Sequence, residues 1–463
     1  MATIKVNNPF DGSLLDELTL ASESEVETAL ETAHQAFLNR DNWLPAYERV
    51  AILERLVELM NGQVEALTQL AASEGGKPYM DSKVEVLRAI NGVKLAIEHL
   101  PQIKGEQIPM GHTASSINRL AYTQREPIGV VASLSAFNHP LNLIVHQTVP
   151  AIAVGCPVIV KPAANTPLSC FKLVDLLYQA GLPKDWCQAL LCDRSSAEKL
   201  ATDSRVNYLS FIGSPQVGWM LNSKIAPGTR AALEHGGAAP VIVDDSADVE
   251  EMIPSLVKGG FYHAGQVCVS VQRVFVHENM VAEISDRLAL AAKELIVGDP
   301  LDPKTEVGPL ISHKEVERVD TWVTEAIDAG ATALCGAERF SDSCYAPTVL
   351  VNPPDDAKVS QLEIFGPVIC VYSYSELSDA IDRANALPFA FQAAVFTKQL
   401  DNALDISNRL NATAVMVNDH TAFRVDWMPF GGRDQSGLGM GGIPYTMHEM
   451  TREKMLVIKS DVL

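Results

Sequence analysis

Three residues in this 463-residue chain have the types and settings that acyl-transfer chemistry needs. Cys268 stands in HAGQVCVSVQRVFVH, where Gly265 and Gln266 mark a loop that would present the thiol. A lone cysteine in an apolar run is more often an inert buried residue than a nucleophile, so its weight depends on its company. Glu234 lies in LEHGGAAPVIVDD, a carboxylate followed by two glycines and an apolar strand, where backbone can approach a ligand closely. Taken alone, such a glutamate is commonly a surface carboxylate in a turn. Asn138, in SLSAFNHPLN, ends an apolar strand two residues before a proline and could equally make a turn. As a group they would supply a nucleophile, a base to activate water against a thioester, and an amide donor for an oxyanion.

A second set has the setting of a nucleotide site. Gly213 and Gly218, in SFIGSPQVGW, follow an apolar strand and open a helix, where free N–H groups bind phosphate. Their spacing is not that of GxGxxG. Lys161 follows the strand CPVIV, at the carboxyl end where open α/β sheets bind ligands. Either feature is also compatible with an ordinary loop between strand and helix.

The elements that must position these residues change character along the chain. Residues 22–73 read as two amphipathic helices, the first opened by Ser22 and Ser24 with Glu25 and Glu27 as a capped start. Another helix is expected over 80–100, then an alternating, rather polar strand in SINRLAYTQREPIGV. From Gly129 onward GVVASLSAF, CPVIVKPA, NYLSFIGS and APVIVDDS alternate with helical stretches, the rhythm of a doubly wound parallel sheet. A second such region begins near Glu234 and runs through RVFVH, ATALCG, PVICVYS, AAVFT and AVMVN. The tail TREKMLVIKSDVL reads as an exposed strand.

Length implies two or three domains. The net charge of −21 would repel phosphate backbones and anionic lipid, which argues against nucleic-acid and membrane-surface partners. The eight cysteines are scattered without a CxxC pair, so a disulfide framework and a structural metal are poor readings. The longest apolar stretch, 143–160, is broken by His146, Gln147, Pro150 and Pro157, and the N-terminus lacks a leader pattern. The expected location is the cytoplasm.

The order of motifs resembles the aldehyde dehydrogenase superfamily over essentially the whole chain. The matching segments are PIGVV (127–131), FN (137–138), KPAANTP (161–167), FIGSPQVG (211–218), EHGG (234–237) and GQVC (265–268). EIFGPV (363–368), VN (417–418), PFGG (429–432) and SGLG (436–439) complete them. The resemblance implies an α/β protein with a Rossmann-like NAD(P)-binding domain (1–112 and 129–233) and an α/β catalytic domain (234–420). A small β extension (113–128 and 445–463) would pair subunits into a homodimer or homotetramer. It further implies Cys268 as nucleophile, Asn138 as oxyanion donor and Glu234 as general base. Lys161 would contact the adenosine ribose, Gly213 and Ser214 the diphosphate, and Glu363, Phe365 and Phe137 the nicotinamide side. The cofactor is NAD or NADP and no metal is implied. Because Glu234 is present, hydrolysis of the thioester is favoured over transfer to coenzyme A. A catalytically silent relative is disfavoured by the three catalytic residues together.

Several positions depart from the family pattern. Phe137 replaces a common Trp, His139 a usual Phe, and Ala164 a frequent Glu whose charge would repel a 2′-phosphate. EHGGA stands for the commoner ELGGK, and Arg433 and Asp434 stand where a variable residue and Lys are usual. Around the expected tunnel the chain offers His139, Asn142, His146, Val267, Val269, His420 and Arg424. Such polarity suits a small polar or anionic aldehyde, and the segment resembles the phosphonoacetaldehyde and lactaldehyde dehydrogenase-like branch. The alternative is that Arg424 pairs with Asp426 or Asp419 and the histidines are structural. The two readings stand level on sequence.

Overall fold

A computed structural model describes residues 2–463. Two parallel sheets dominate it. The first runs, in spatial order, through Gly437–Leu438, Arg230–Glu234, Val206–Ile212, Val130–Leu134, Val158–Lys161 and Cys187–Ala189. Only its two-residue edge strand is antiparallel. Alternation along Val130–Leu134 gives the sheet two apolar faces. Val130 and Ala132 pack with Val26, Leu30 and Leu200 of the helices Glu23–Leu38 and Arg194–Thr202. Val131 faces Leu53, Ile90, Val145 and Leu173 of four helices on the other side.

The second sheet has seven strands in the order Thr332–Cys335, Thr348–Val351, Val368–Tyr374, Val271–His277, Ala239–Val243, Gln392–Phe396 and Ala414–Val417. All but the first are parallel, and one continuous core covers the sheet. Six of these strands coincide with the β-rich runs expected from sequence, and Thr348–Val351 was not among them.

The third unit is a three-stranded antiparallel sheet. Thr451–Lys459 pairs along the full length of Arg119–Pro127, which also pairs with Gln107–Ile108. Met455, Leu456, Val457 and Ile458 are exposed on the outer strand. The strands of this sheet therefore depart from the bounds 113–128 and 445–463, taking in Gln107–Ile108 and leaving out 113–118 and 445–450. Residues 113–118 hold a short 3-10 turn, and Ile443–Glu449 is a helix. Ile443 and Met447 of that helix are buried against the first core, which the strand reading missed.

The expected helix pair in 22–73 is three helices, Glu23–Leu38, Ala46–Asn61 and Val64–Gly75. Pro45 and Gly62 divide them, a proline at a helix start and a glycine at a helix end. Ser22 and Glu25 do form a capping box. Among the described residues no helix is long and apolar enough to cross a membrane.

Candidate active site

The first sheet brings several distant motifs to one edge. Strand order reverses direction at Val130–Leu134, flanked by Val206–Ile212 and Val158–Lys161, and a crevice opens at the carboxyl ends of such strands. Asn138 follows Val130–Leu134, Lys161 ends its strand, Gly213 and Ser214 follow Val206–Ile212, and Glu234 ends Arg230–Glu234.

Cys268 comes from the other unit, in the loop between the helix Val249–Phe261 and the strand Val271–His277. That loop is wound tightly. His263, Ala264 and Gly265 all take positive φ (50°, 53° and 70°), and a Cβ on Gly265 would lie 2.0 Å from the Gly366 carbonyl. The buried Gln266 side chain fastens it, accepting from Ile311 N–H at 2.9 Å and donating to the Pro309 carbonyl at 3.2 Å. Asn138 Nδ2 donates to the Gln266 carbonyl at 2.9 Å, so the amide lies against the cysteine loop. Its second N–H remains for another acceptor.

Seven cysteines are buried and Cys268 alone is partly accessible. Burial pushes its thiol well up, and the carboxylates of Glu234 and Glu363 add to this, while Arg424 opposes them. In this state the sulfur keeps its proton. Burial also raises the Glu234 carboxyl, again opposed by Arg424, whose Nη1 lies 3.9 Å from Oε1. A cavity of about 30 Å³ lies beside Glu234 and Arg424, lined also by His146, Phe430 and Gly441, with room for a water molecule.

Arg424 does not pair with Asp426 or Asp419 at contact distance. Asp426 is taken by Arg88, from Nε at 3.1 Å and Nη2 at 2.7 Å, and by His146 Nε2 at 2.8 Å. Burial works against the Asp426 charge, but these partners hold its carboxyl well below the usual range. His146 is driven down to about 4 by burial and by Arg424, against the pull of Asp426. It is therefore neutral, with its proton on Nε2 toward Asp426, and Nδ1 accepts from Arg424 Nη2 at 3.4 Å. The Arg424 guanidinium also lies 3.5 Å from the Phe430 ring centre, and its Nε is buried without a partner. His139 Nε2 meets the Tyr262 hydroxyl at 3.1 Å. His420 packs against Gly259, and its ring makes no hydrogen bond to the Arg88–Asp426–His146 group. Arg433 and Asp434 bond to the Ala412 carbonyl and Asn411 at the surface.

Sequence reasoning missed the supports. Glu85 accepts from the Leu141 and Asn142 amides at 2.9 and 3.0 Å, capping the helix Asn142–Val154, and forms a buried ion pair with Lys77. Glu74 does the same for Leu168–Gln179, accepting from Leu168 and Ser169 at 2.7 and 2.8 Å. Burial raises the Glu74 carboxyl to about 7. Neither helix has a cap of its own. Nothing in the sequence around these glutamates marked them as inside. Arg88 gave no signal beyond a place on a helix.

The residues present suit a dinucleotide. Lys161 and the Gly213–Ser214 turn lie on the carboxyl side of the first sheet. The Phe137 and Phe365 rings meet edge-to-face at 5.8 Å. Glu363 is pushed up to about 8 by burial, and its Oε1 is buried with no partner, as an acceptor awaiting a hydroxyl would be.

Residues 1–456 match the model of the aldehyde dehydrogenase family. The chain is 37% identical over 456 residues to a 3-sulfolactaldehyde dehydrogenase of Priestia aryabhattai, covering 98% of this chain and 94% of the relative. Aldehyde dehydrogenase 21 of Physcomitrella patens, solved with the reaction product succinate, superposes with a TM-score of 0.95 at 34% identity. That match covers 99% of this chain and 95% of the other. The glyceraldehyde-3-phosphate dehydrogenase GapN of Methanocaldococcus jannaschii, solved with NADP, gives 0.94 at 35% identity and covers 99% of both chains. The chain belongs to the aldehyde dehydrogenase family and is an NAD(P)-dependent aldehyde dehydrogenase.

Proposed function

We propose that this enzyme oxidises a small aldehyde carrying an anionic group to the corresponding acid, with Arg424 as the principal anion ligand and Arg88 beside it. The observation that carries this is the state of Arg424. It is a buried cation with a free Nε, a neutral histidine on one side and a carboxylate at 3.9 Å on the other, while Asp426 is consumed by Arg88. A desolvated guanidinium in that position favours a carboxylate, sulfonate or phosphate of fitting size. The relatives are named for a sulfonated aldehyde and a phosphorylated one, and a third was solved with a dicarboxylate product. His139 would line the same tunnel. His146 would act as a support for Arg424, since both ring nitrogens are engaged. His420 is the weakest of the proposed contacts.

In the proposed reaction the Cys268 sulfur bonds to the aldehyde carbon as its proton passes to a water molecule and on to solvent. The resulting oxyanion accepts from Asn138 Nδ2 and the Cys268 N–H. Bound NAD(P)+, held by Lys161, Gly213, Ser214, Glu363, Phe365 and Phe137, supplies the hydride acceptor for the oxidation. Glu234 then takes a proton from water as the water oxygen bonds to the acyl carbon, the C–S bond breaks, and the departing Cys268 thiolate takes up the proton that Glu234 holds, which restores both groups. Residues 1–112 and 129–233 would form the coenzyme domain and 234–420 the catalytic one. The exposed strand Thr451–Lys459, an open edge, would pair subunits into a dimer or tetramer, which sedimentation of a Val457→Lys variant tests.

The test is reduction of NAD+ and of NADP+ with a panel running from propanal and benzaldehyde to lactaldehyde, succinic semialdehyde, 3-sulfolactaldehyde and phosphonoacetaldehyde. The expected result is highest kcat/KM on anionic members, lost in Cys268→Ala. Equal or better turnover of apolar aldehydes would refute the anion reading and leave the enzyme class standing. Ala164 makes NADP+ tolerable, and the same assay reads the preference.

A further inference from the structure

His235 occupies the position where the family pattern usually carries leucine, directly after Glu234. Its ring is 1% exposed and wedged under the turn that follows Val206–Ile212. Nδ1 lies 2.7 Å from the Gly213 carbonyl, so the ring proton sits on Nδ1 and the ring donates. Burial lowers the ring's proton affinity against the pull of that carbonyl, consistent with a neutral imidazole whose Nε2 is buried without a partner.

The fit around the ring is close. A Cβ on Gly218 would lie 2.0 Å from His235 Cε1, so the ring fills the space a side chain at 218 would need. Phe211 and Trp219 stand edge-on and tilted at 5.8 and 6.0 Å. The Gly213 N–H donates to the Glu234 carbonyl at 3.1 Å, and the His235 N–H donates to the Ser436 carbonyl at 3.0 Å. Both polar groups of Gly213 are therefore held by two consecutive residues, one of them the proposed base. Leucine could fill the volume and could not hold the carbonyl.

We propose that His235 is a positioning residue that fixes the Gly213–Ser214 turn against the Glu234 strand and thereby sets coenzyme affinity. This rests on the reading that the turn meets the coenzyme diphosphate, and it is independent of the aldehyde's charge. Loss of one buried hydrogen bond predicts weakening by roughly threefold to tenfold.

The experiment is equilibrium titration of the purified protein with NAD+ and NADP+, followed by quenching of tryptophan fluorescence, for wild type, His235→Leu, His235→Asn and Ser214→Asp. Asparagine places Nδ2 where histidine has Nδ1. The expected result is a Kd raised threefold to tenfold in His235→Leu and restored to within twofold in His235→Asn. Coenzyme-free hydrolysis of p-nitrophenyl acetate by Cys268 should stay within twofold of wild type in both. Ser214→Asp puts a negative charge at the turn and should raise Kd more than tenfold. An unchanged Kd in His235→Leu, or a His235→Asn variant as weak as His235→Leu, overturns the proposal. If Ser214→Asp binds coenzyme normally, the underlying reading of the turn fails as well.

Discussion

Asp426 holds Arg88 through two hydrogen bonds, at 3.1 and 2.7 Å across 338 positions of sequence, and so leaves Arg424 facing Glu234. The pair anchors the wall of the proposed substrate site, because the same carboxylate fixes His146 and through it Arg424. Replacing Asp426 with alanine removes these bonds at once. Arg88 keeps access to water, its side chain being 26% exposed, so the cost is put at about 2–3 kcal/mol rather than that of a fully buried pair. Denaturant unfolding measures it. With Arg424 unsupported, KM for an anionic aldehyde should rise at least tenfold while kcat on propanal changes less than threefold. An equal loss on both substrates would mean that Asp426 supports the fold and not the anion site.

Arg424→Met should move the pH dependence of catalysis even for a neutral aldehyde. Burial raises the Glu234 carboxyl and Arg424 opposes that rise. Without the guanidinium the carboxyl climbs further, and a base is active only when ionised. The acidic limb of thioester hydrolysis on propanal should therefore shift to higher pH. The check is the pH profile of steady-state turnover together with the reduced-coenzyme burst, which should grow as hydrolysis slows. Superimposable limbs for variant and wild type would show that the two groups are not coupled.

His146 makes a prediction about stability. Its proton affinity is lowered from 6.5 to about 4 in the native chain. Between those values the unfolded chain binds a proton that the native site refuses, so stability falls as pH drops from about 6.5 to about 4 and levels off below. The gap corresponds to about 3 kcal/mol. His146→Gln keeps an Nε2 donor for Asp426 and does not titrate, so its stability should be flatter over that window. Urea unfolding at pH 7 and pH 4.5 gives the comparison, and parallel losses in the two proteins would rule His146 out.

What the sequence disclosed was local in origin. Short β-rich runs revealed most strands of both sheets, though not Cys187–Ala189, Arg230–Glu234, Thr348–Val351 or Gly437–Leu438, and Ser22 with Glu25 marked the first helix start, because each pattern is written within a few residues. The motif order alone carried the expectation that Asn138, Glu234 and Cys268 share one site. Arg88, Glu74, Glu85 and the carbonyl partner of His235 were illegible for the opposite reason. Their bonds span 338, 94, 56 and 22 positions, and no short-range period encodes such a contact. The helix Ile443–Glu449 was missed because its seven residues are too few for periodicity to separate it from the strand that follows.

Glu85 offers the sharpest separation of scaffold from chemistry. Its carboxylate is fully buried, ties the Leu141 and Asn142 amides, and neutralises Lys77, which is 1% exposed. Glu85→Ala leaves a buried ammonium without a partner and two amides of a helix start without an acceptor. Together these should cost about 3–5 kcal/mol. The helix carries Asn142 and His146 and begins just after Asn138, so the proposed oxyanion donor loses its backing as well. Pairing Glu85→Ala with Lys77→Met removes the stranded charge and should recover more than half of the stability by urea unfolding. It should not recover kcat, because the amides of the helix start remain unheld. Full recovery of kcat in the double variant would show that Glu85 serves only to neutralise Lys77 and takes no part in placing Asn138.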